Sequence, residues 1–260
     1  MKITILNSLN SELLKIRKTA AFWLVIGGSL FIPFVMILIQ LSYPTKTAVK
    51  NADVNFWEIF YNESWQSMAM FLLPMGIILV TGMLAQLEYK NNTWKQLYAS
   101  PQPLSYIFLV KLTVILLLML MFLLLFNLGI FLSVLIPALF LADIPFPTAA
   151  FPFLLYLKSS ALYFIDCLPI IALQYLISLR YKNFLVPVGI GFIGIIATLF
   201  AISWEFGYTL PYTYTSLNYF QLSGTAMSAP PISIHLFAFG YFVLITFVNY
   251  RMFDRRTEKG

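Results

Sequence analysis

Long runs of uncharged, apolar residues divide this chain, and they constrain its fold more than any other feature. A helix needs about 20 apolar residues to cross the hydrocarbon core of a bilayer. Six runs reach about this length, and they cover residues 20–41, 67–87, 106–139, 153–179, 184–204 and 232–250. Because 60% of the residues are hydrophobic and 10% are charged, little polar surface remains to coat a soluble domain. The sequence therefore predicts an all-α integral membrane protein, with six transmembrane helices in a single domain over residues 1–260.

The third run, residues 106–139, is too long for one simple crossing, because a helix of this length measures about 50 Å. It could form two short spans instead. However, Asn127 and Gly129 make a poor turn within so apolar a run, and a seventh crossing would reverse the orientation of everything downstream. We therefore predict one long helix that is tilted or projects into the cytoplasm.

Basic residues predict which side of the membrane each loop occupies. With six spans, 13 of the 16 Lys and Arg residues fall on the side of the N-terminus, and only Lys46, Lys50 and Lys158 fall on the other side. This asymmetry fits the positive-inside rule and predicts that both termini, including the basic tail at residues 251–260, are cytoplasmic. The net charge of +6 then follows from topology and anionic inner lipid, so no nucleic-acid partner is expected.

The first 19 residues predict a helix before the first span. Leu6, Leu9, Leu13 and Ile16 recur at helical spacing, and the charged residues fall largely on other faces. Such a helix is amphipathic and is expected to lie on the inner leaflet as an anchor, with docking of a partner as the alternative. No cleavage site of small residues follows it, so the first span is expected to stay in the protein.

Few residues in this chain are suited to catalysis or metal binding. Cys167 is the only cysteine and His235 the only histidine, so neither an intrachain disulfide nor a zinc site is expected. His235 lies near the outer end of the last run, has no evident partner in the sequence, and is predicted to be an interfacial polar residue. The sequence also lacks a GxxxxGK[ST] phosphate-binding loop. We expect no catalytic residues and no cofactor in this chain.

The polar segment EYKNNTWKQLYASPQP interrupts the hydrophobic sequence between the second and third spans, and the charge count places it in the cytoplasm. Thr93 and Gln96 form a capping box that predicts the start of a short helix, and the two prolines end it. Trp94 and Leu97 share one face of that helix. This face could rest on the lipid headgroups, or it could enter a groove on a soluble partner with Trp94 as a buried anchor.

The same segment resembles the permease subunits of type-2 ATP-binding-cassette (ABC) exporters, and the resemblance is closest to the bacitracin-resistance and lantibiotic-immunity branch. It rests on the six-span layout, the chain length and a motif of ten residues: Glu88, Lys90, Thr93, Trp94, Lys95, Leu97, Ala99, Ser100, Pro101 and Lys111. This family implies a permease without its own ATPase, in a bacterial plasma membrane, that pairs with a second permease as a homodimer or heterodimer.

The resemblance also implies how such a permease is driven. Two cytoplasmic nucleotide-binding subunits would bind ATP and Mg²⁺, and the segment after the second span would be the coupling helix that transmits their motion. By this resemblance Glu88, Thr93, Trp94, Gln96 and Leu97 bear on the ATPase subunit. The expected substrate is an amphipathic or hydrophobic compound, such as an antimicrobial peptide or a lipid-linked molecule, that is moved outward.

Asp166 lies well inside the fourth run, and a carboxylate within a membrane is costly enough to indicate either a function or a structural partner. Lys158, Tyr163 and Gln174 could lie near the same helix face, so Asp166, Tyr163 and Gln174 are candidates for a substrate path. Gln174 could instead simply link two helices. The alternative function is an ion-coupled secondary transporter that uses Asp166, although such proteins usually show internal repeats and none is convincing here.

Residues 206–231 precede the last run and are rich in aromatic residues among Thr, Ser and Gly. They resemble the external re-entrant region that the exporter family places between its last two spans. An aromatic belt at the outer headgroups is the structural expectation for the same composition.

Overall fold

Helices form nearly all of the protein that the computed structural model describes, namely residues 5–90, 104–225 and 233–254. In chain order they are α1 (Ile5–Ile16), α2 (Ala20–Ser42), α3 (Pro44–Asn51), α4 (Phe56–Ser67), a π-helical turn (Met68–Leu72), α5 (Leu73–Lys90), α6 (Leu104–Phe140), α7 (Phe153–Arg180), α8 (Leu185–Ala201), a 3₁₀ turn (Gly207–Thr209), α9 (Tyr214–Leu222) and α10 (Ile234–Asp254). No strand occurs in these ranges.

Five helical stretches in the described residues are long and apolar enough to cross a membrane. They are α2, the continuous stretch Phe56–Lys90, α6, α7 and α10. The prediction of an all-α, multi-pass membrane protein is confirmed by these lengths and compositions. The run predicted as the fifth span forms α8, which is apolar but has only 17 residues. Six crossings and cytoplasmic termini stay predictions.

The second span begins earlier than the sequence predicted. Its helical stretch starts at Phe56 rather than at residue 67, and it reaches Lys90 through the π-helical turn. The sequence did not predict this start, because Glu58 and Glu63 interrupt the apolar run. In the helix both glutamates are exposed on one face, whereas the opposite face of α4 is buried and aromatic.

The third run forms one continuous helix of 37 residues, α6, as predicted. At 1.5 Å per residue it is about 55 Å long. The two residues considered as a turn make contacts between helices instead. Asn127 Nδ2 donates a hydrogen bond to Ser160 Oγ of α7 at 2.8 Å. A Cβ atom at Gly129 would lie 2.7 Å from Pro33 Cγ, so this glycine lets α2 approach α6 closely.

The predicted N-terminal helix is present as α1, but its apolar face packs on protein. Ile16 is buried, and Leu9 and Leu13 pack against the main hydrophobic core. Leu14 points away from that core and is exposed. Contact of α1 with the inner leaflet stays a prediction.

The centre of the bundle is α7, which packs against α5, α6, α9 and α10. The end of the bundle that holds α1, the last turn of α5 and the first turns of α6 is here called the N-terminal end. The opposite end, called the far end, holds α3, α4 and residues 141–152. Hydrogen bonds from Asn51 and Trp57 side chains to the carbonyl oxygens of Pro145 and Ala149 fasten this end together.

The aromatic segment before the last helix does not form a simple belt. Tyr212, Tyr214 and Tyr219 are buried, as is most of α9, which packs between α4, α7 and α10. Trp204 and Phe206 are exposed, as expected for residues of a membrane interface. The expectation of an aromatic belt is therefore wrong for the three tyrosines, because α9 turns them into the bundle.

Candidate functional site

The three residues predicted for a substrate path lie on the buried face of α7. Tyr163, Asp166 and Gln174 are all fully buried. Their spacing of three and eight residues places them on one side of the helix, with Gln174 about 12 Å along the axis from Asp166. Lys158, which the sequence suggested as a neighbour, is exposed and does not join this face.

Asp166 pairs with the only histidine of the chain. Its Oδ1 atom lies 2.8 Å from Nδ1 of His235, in the first turn of α10. The Asp166 side chain is completely buried, and the His235 side chain is 20% exposed. The sequence showed no evident partner for His235, and the structure gives it one. Its position at the membrane interface stays a prediction. The two residues are 69 positions apart, so helical spacing could not reveal the pair.

Other buried polar and aromatic side chains surround this pair. The Asn218 side chain of α9 also faces the Asp166 carboxylate. The Tyr163 ring stacks on Trp65, with 3.7 Å between the ring centroids and 4° between the planes. Trp65 lies on the buried face of α4. The run predicted for the second span begins at residue 67 and does not include it. Three helical elements thus contribute residues beside Asp166 that were not predicted.

Gln174 occupies a tight position between three segments. Its Nε2 donates a hydrogen bond of 2.9 Å to Tyr212 Oη, in the turn before α9. A Cβ atom at Gly191 would lie 2.1 Å from the same nitrogen, so α8 approaches Gln174 through a glycine. Burial raises the pKa of Tyr212 to about 12, although the bond from Gln174 acts in the opposite direction. The phenol therefore stays neutral and can accept this bond at all ordinary pH values.

A second group of charged residues lies at the N-terminal end. Lys111 of α6 forms ion pairs with Glu88 of α5, at 2.5 Å, and with Glu12 of α1, at 3.0 Å. Glu12 also pairs with Lys15 at 2.7 Å. These four residues line one side of a cavity of about 310 Å³, whose other walls are mostly apolar. The network therefore joins α1, α5 and α6 on the inside of the bundle.

Among the residues predicted to contact an ATPase subunit, the structure describes Glu88 alone. Its side chain is turned inward and is 7% exposed, so it contacts Lys111 rather than offering a free surface. Thr93, Trp94, Gln96 and Leu97 lie outside the described residues. Glu88 lies in the last turn of α5, two residues before its end at Lys90, and Lys111 is in the second turn of α6. The ion pair therefore connects the two helices that flank the predicted coupling segment.

Comparison with known proteins identifies a transporter family. Residues 8–198 match the family model described as ABC-2 family transporter protein. No curated protein and no solved structure matches the chain. The matched region covers most of the chain and includes α2, α5, α6 and α7, together with Glu88, Lys111 and Asp166. The chain therefore belongs to the ABC-2 family of transporter proteins and is a membrane-embedded permease component of an ABC transporter.

Proposed function

We propose that this chain is the permease of an ATP-driven exporter that moves an amphipathic or hydrophobic substrate outward. The permease would cross a bacterial plasma membrane six times, with both termini in the cytoplasm. It would work with a second permease, identical or different, and with cytoplasmic ATPase subunits that bind ATP and Mg²⁺. The ABC-2 family supports partnership with ATPase subunits, and such permeases generally lack an ATPase site of their own.

The observation that carries this proposal is the ion-pair network at the N-terminal end. Segment 91–103 connects α5 to α6 in the sequence. Glu88 lies about 3 Å along the axis from the end of α5, and Lys111 about 10 Å from the start of α6. Lys111 pairs with Glu88 of α5 and also with Glu12 of α1. These ion pairs would make α1, α5 and α6 move together. Motion applied to the segment would therefore pass into three helices together.

In this proposal the residues of the coupling segment have different roles. Trp94 and Leu97 would bury their shared face in a groove of the ATPase subunit, and Thr93 and Gln96 would cap the short helix that presents them. Glu88 would act from inside the permease by fixing the end of α5 to Lys111. The substrate would contact the bundle near Tyr163, Asp166 and Gln174 when α7 becomes accessible during transport.

The proposed substrate class follows the bacitracin-resistance and lantibiotic-immunity branch of the family. A bundle with exposed apolar helices offers a hydrophobic path, and the buried polar face of α7 offers a few hydrogen-bonding groups within it. This combination suits an antimicrobial peptide or a lipid-linked compound, since both have an apolar body and a polar part.

The test is co-purification from native membranes in mild detergent, with mass spectrometry and an assay of ATP hydrolysis. Wild-type protein should retain a stoichiometric subunit with a phosphate-binding loop. Trp94→Ala should lose that subunit while its membrane insertion stays normal, because the buried anchor is removed. Trp23→Ala is the matched control, since Trp23 is exposed on α2 and makes no predicted contact with the ATPase.

Retention of the ATPase by Trp94→Ala at the wild-type level would contradict the coupling role of this segment. A wild-type chain that purifies without any ATPase, under conditions that preserve other ABC complexes, would contradict the exporter proposal. That second result would favour the ion-coupled alternative that uses Asp166.

A further inference from the structure

We propose that Asp166 and His235 form a proton-binding site in the far half of the bundle, and that the bound proton holds α9 and the start of α10 against α7. This inference goes beyond the proposed export function, because it concerns a property of the permease chain itself. It rests on the contact between two side chains, on their burial and on their combined charge.

The position of the pair makes it a fastening point. Asp166 is 13 residues from the start of α7, or about 20 Å along its axis. His235 is the second residue of α10, so the hydrogen bond holds the very beginning of that helix. The short helix α9 packs against both α7 and α10, and its Asn218 faces Asp166. One carboxylate of α7 thus contacts the beginning of α10 and faces α9.

The total charge of the pair determines how tightly it holds. With one shared proton, the pair is neutral overall. It then consists either of a protonated His235 and an ionised Asp166, or of a neutral His235 and a protonated Asp166. Loss of that proton leaves one uncompensated negative charge on a fully buried group. A buried charge without a partner is strongly unfavourable, so deprotonation should weaken the contact and favour opening of α9 and α10.

Among the residues that the structure describes, the groups around Asp166 do not supply a replacement charge. Titratable side chains that face it are Tyr163 and Cys167 on α7 and Tyr214 on α9. On α9 Tyr219 faces Tyr163 and also Glu63 of α4, which pairs with Lys50. Tyrosine and cysteine are ordinarily neutral near pH 7, with pKa values of about 10 and about 8.5. The proton on the Asp166–His235 pair therefore decides the local charge.

A proton can also reach the pair without global unfolding. The His235 side chain is 20% exposed, whereas Asp166 is completely buried behind it. His235 can therefore exchange its proton with its surroundings, and the change in charge reaches Asp166 through the hydrogen bond.

The experiment uses the single histidine of the chain as a reporter. The full chain, carrying a purification tag without histidine and labelled with ¹⁵N-histidine, is placed in lipid nanodiscs, and its one imidazole signal is followed by NMR from about pH 5 to about pH 9. We expect the midpoint of this signal to differ between wild type and Asp166→Asn, because the carboxylate contacts the imidazole. An identical midpoint in the two proteins would overturn the assignment of a shared site.

Amide hydrogen exchange in the same samples tests the structural consequence. After correction for intrinsic rates, exchange in α9 and the first turns of α10 should rise about tenfold across the titration, whereas α2 should show no such step. The double variant Asp166→Asn/His235→Gln keeps hydrogen-bonding side chains but has no ionisable group at the pair, so its corrected exchange should show no step across this pH range. A step that persists in the double variant, or the absence of a step in wild type, would overturn the proposal. Neither measurement requires ATPase subunits, so failure of the export proposal would leave these results unchanged.

Discussion

The two regions that bury charge in this protein do so in different ways. At the N-terminal end, Glu12, Lys15, Glu88 and Lys111 form a network in which Lys111 has two acidic partners. In the far half, His235 is the one partner of Asp166 among the described residues that can carry a positive charge. The network pairs ammonium groups with carboxylates, whereas the pair contains an imidazole, the side chain whose ordinary pKa lies nearest to neutral pH. The network therefore suits a permanent connection, and the pair suits a connection that can be released.

Replacing Lys111 by Met should have the largest effect on stability. It leaves Glu12 and Glu88 close together without the ammonium group between them, and removal of one partner from a buried ion pair costs about 3–5 kcal/mol. We expect a loss of about 3 kcal/mol, measured as a lower midpoint of denaturation in detergent, because the network is slightly exposed. The exposed Lys158→Met is the control and should change stability by less than about 0.5 kcal/mol. An equal effect of both variants would show that the network adds nothing.

Replacing His235 by Leu should have the next largest effect. Asp166 would lose its partner, but it can respond by taking up a proton, so we expect a loss of about 2 kcal/mol. A double-mutant cycle with Asp166→Asn should give a coupling energy of about 1–3 kcal/mol. Additive effects would mean that the two residues stabilise the protein independently.

In a transport assay, Asp166→Asn is expected to reduce transport more than assembly with the ATPase, and normal transport would assign the carboxylate a purely structural role.

Replacing Tyr212 by Phe removes a neutral hydrogen bond and provides a reference for both charged regions. The Gln174 amide would lose its acceptor at 2.9 Å, and a typical buried hydrogen bond contributes about 1 kcal/mol. Tyr43→Phe is the matched control, because Tyr43 is exposed on the loop after α2. If Tyr212→Phe lost more stability than His235→Leu, the Asp166–His235 pair would not stabilise the protein more than this neutral hydrogen bond does.

Replacing Lys15 by Gln should have the smallest effect. Its side chain is half exposed, and exposed ion pairs contribute about 0–1 kcal/mol. Burial acts to lower the pKa of Lys15, but the hydrogen bond and charge of Glu12 and the charge of Glu88 outweigh this and raise it. The contribution of Lys15 is therefore fully present below its ordinary pKa of about 10.4 and is lost only as pH rises through the raised value. A stability difference between variant and wild type that changes between about pH 6 and about pH 9 would contradict this reasoning.

The sequence predicted the helices well where apolar residues alone define them. The bounds of α2, α6 and α7 follow from uncharged runs, because a helix satisfies the backbone groups of such a run within the run itself. The prediction missed the start at Phe56, where the polar residues lie on one face and the buried aromatic residues on another. A helical-periodicity count over residues 56–67 could have found it.

The sequence predicted only those residues of the candidate site that lie on α7. A carboxylate within an apolar run is visible in any sequence, so Asp166 was found, and Tyr163 and Gln174 followed from helical spacing. His235, Trp65 and Asn218 come from other helices, and local spacing carries no information about them. The motif that contains Glu88 also contains Lys111, but only the packing of α5 on α6 shows that the two side chains pair inside the bundle.

The sequence by itself determined that this chain is a helical membrane protein with a buried acid in its fourth apolar run, because hydrophobic length and the cost of burying charge are properties of local sequence. Tertiary structure alone decided what that acid contacts. The partner of Asp166 depends on where α10 begins relative to α7, and that position is set by the packing of α9 between them rather than by any spacing along the chain.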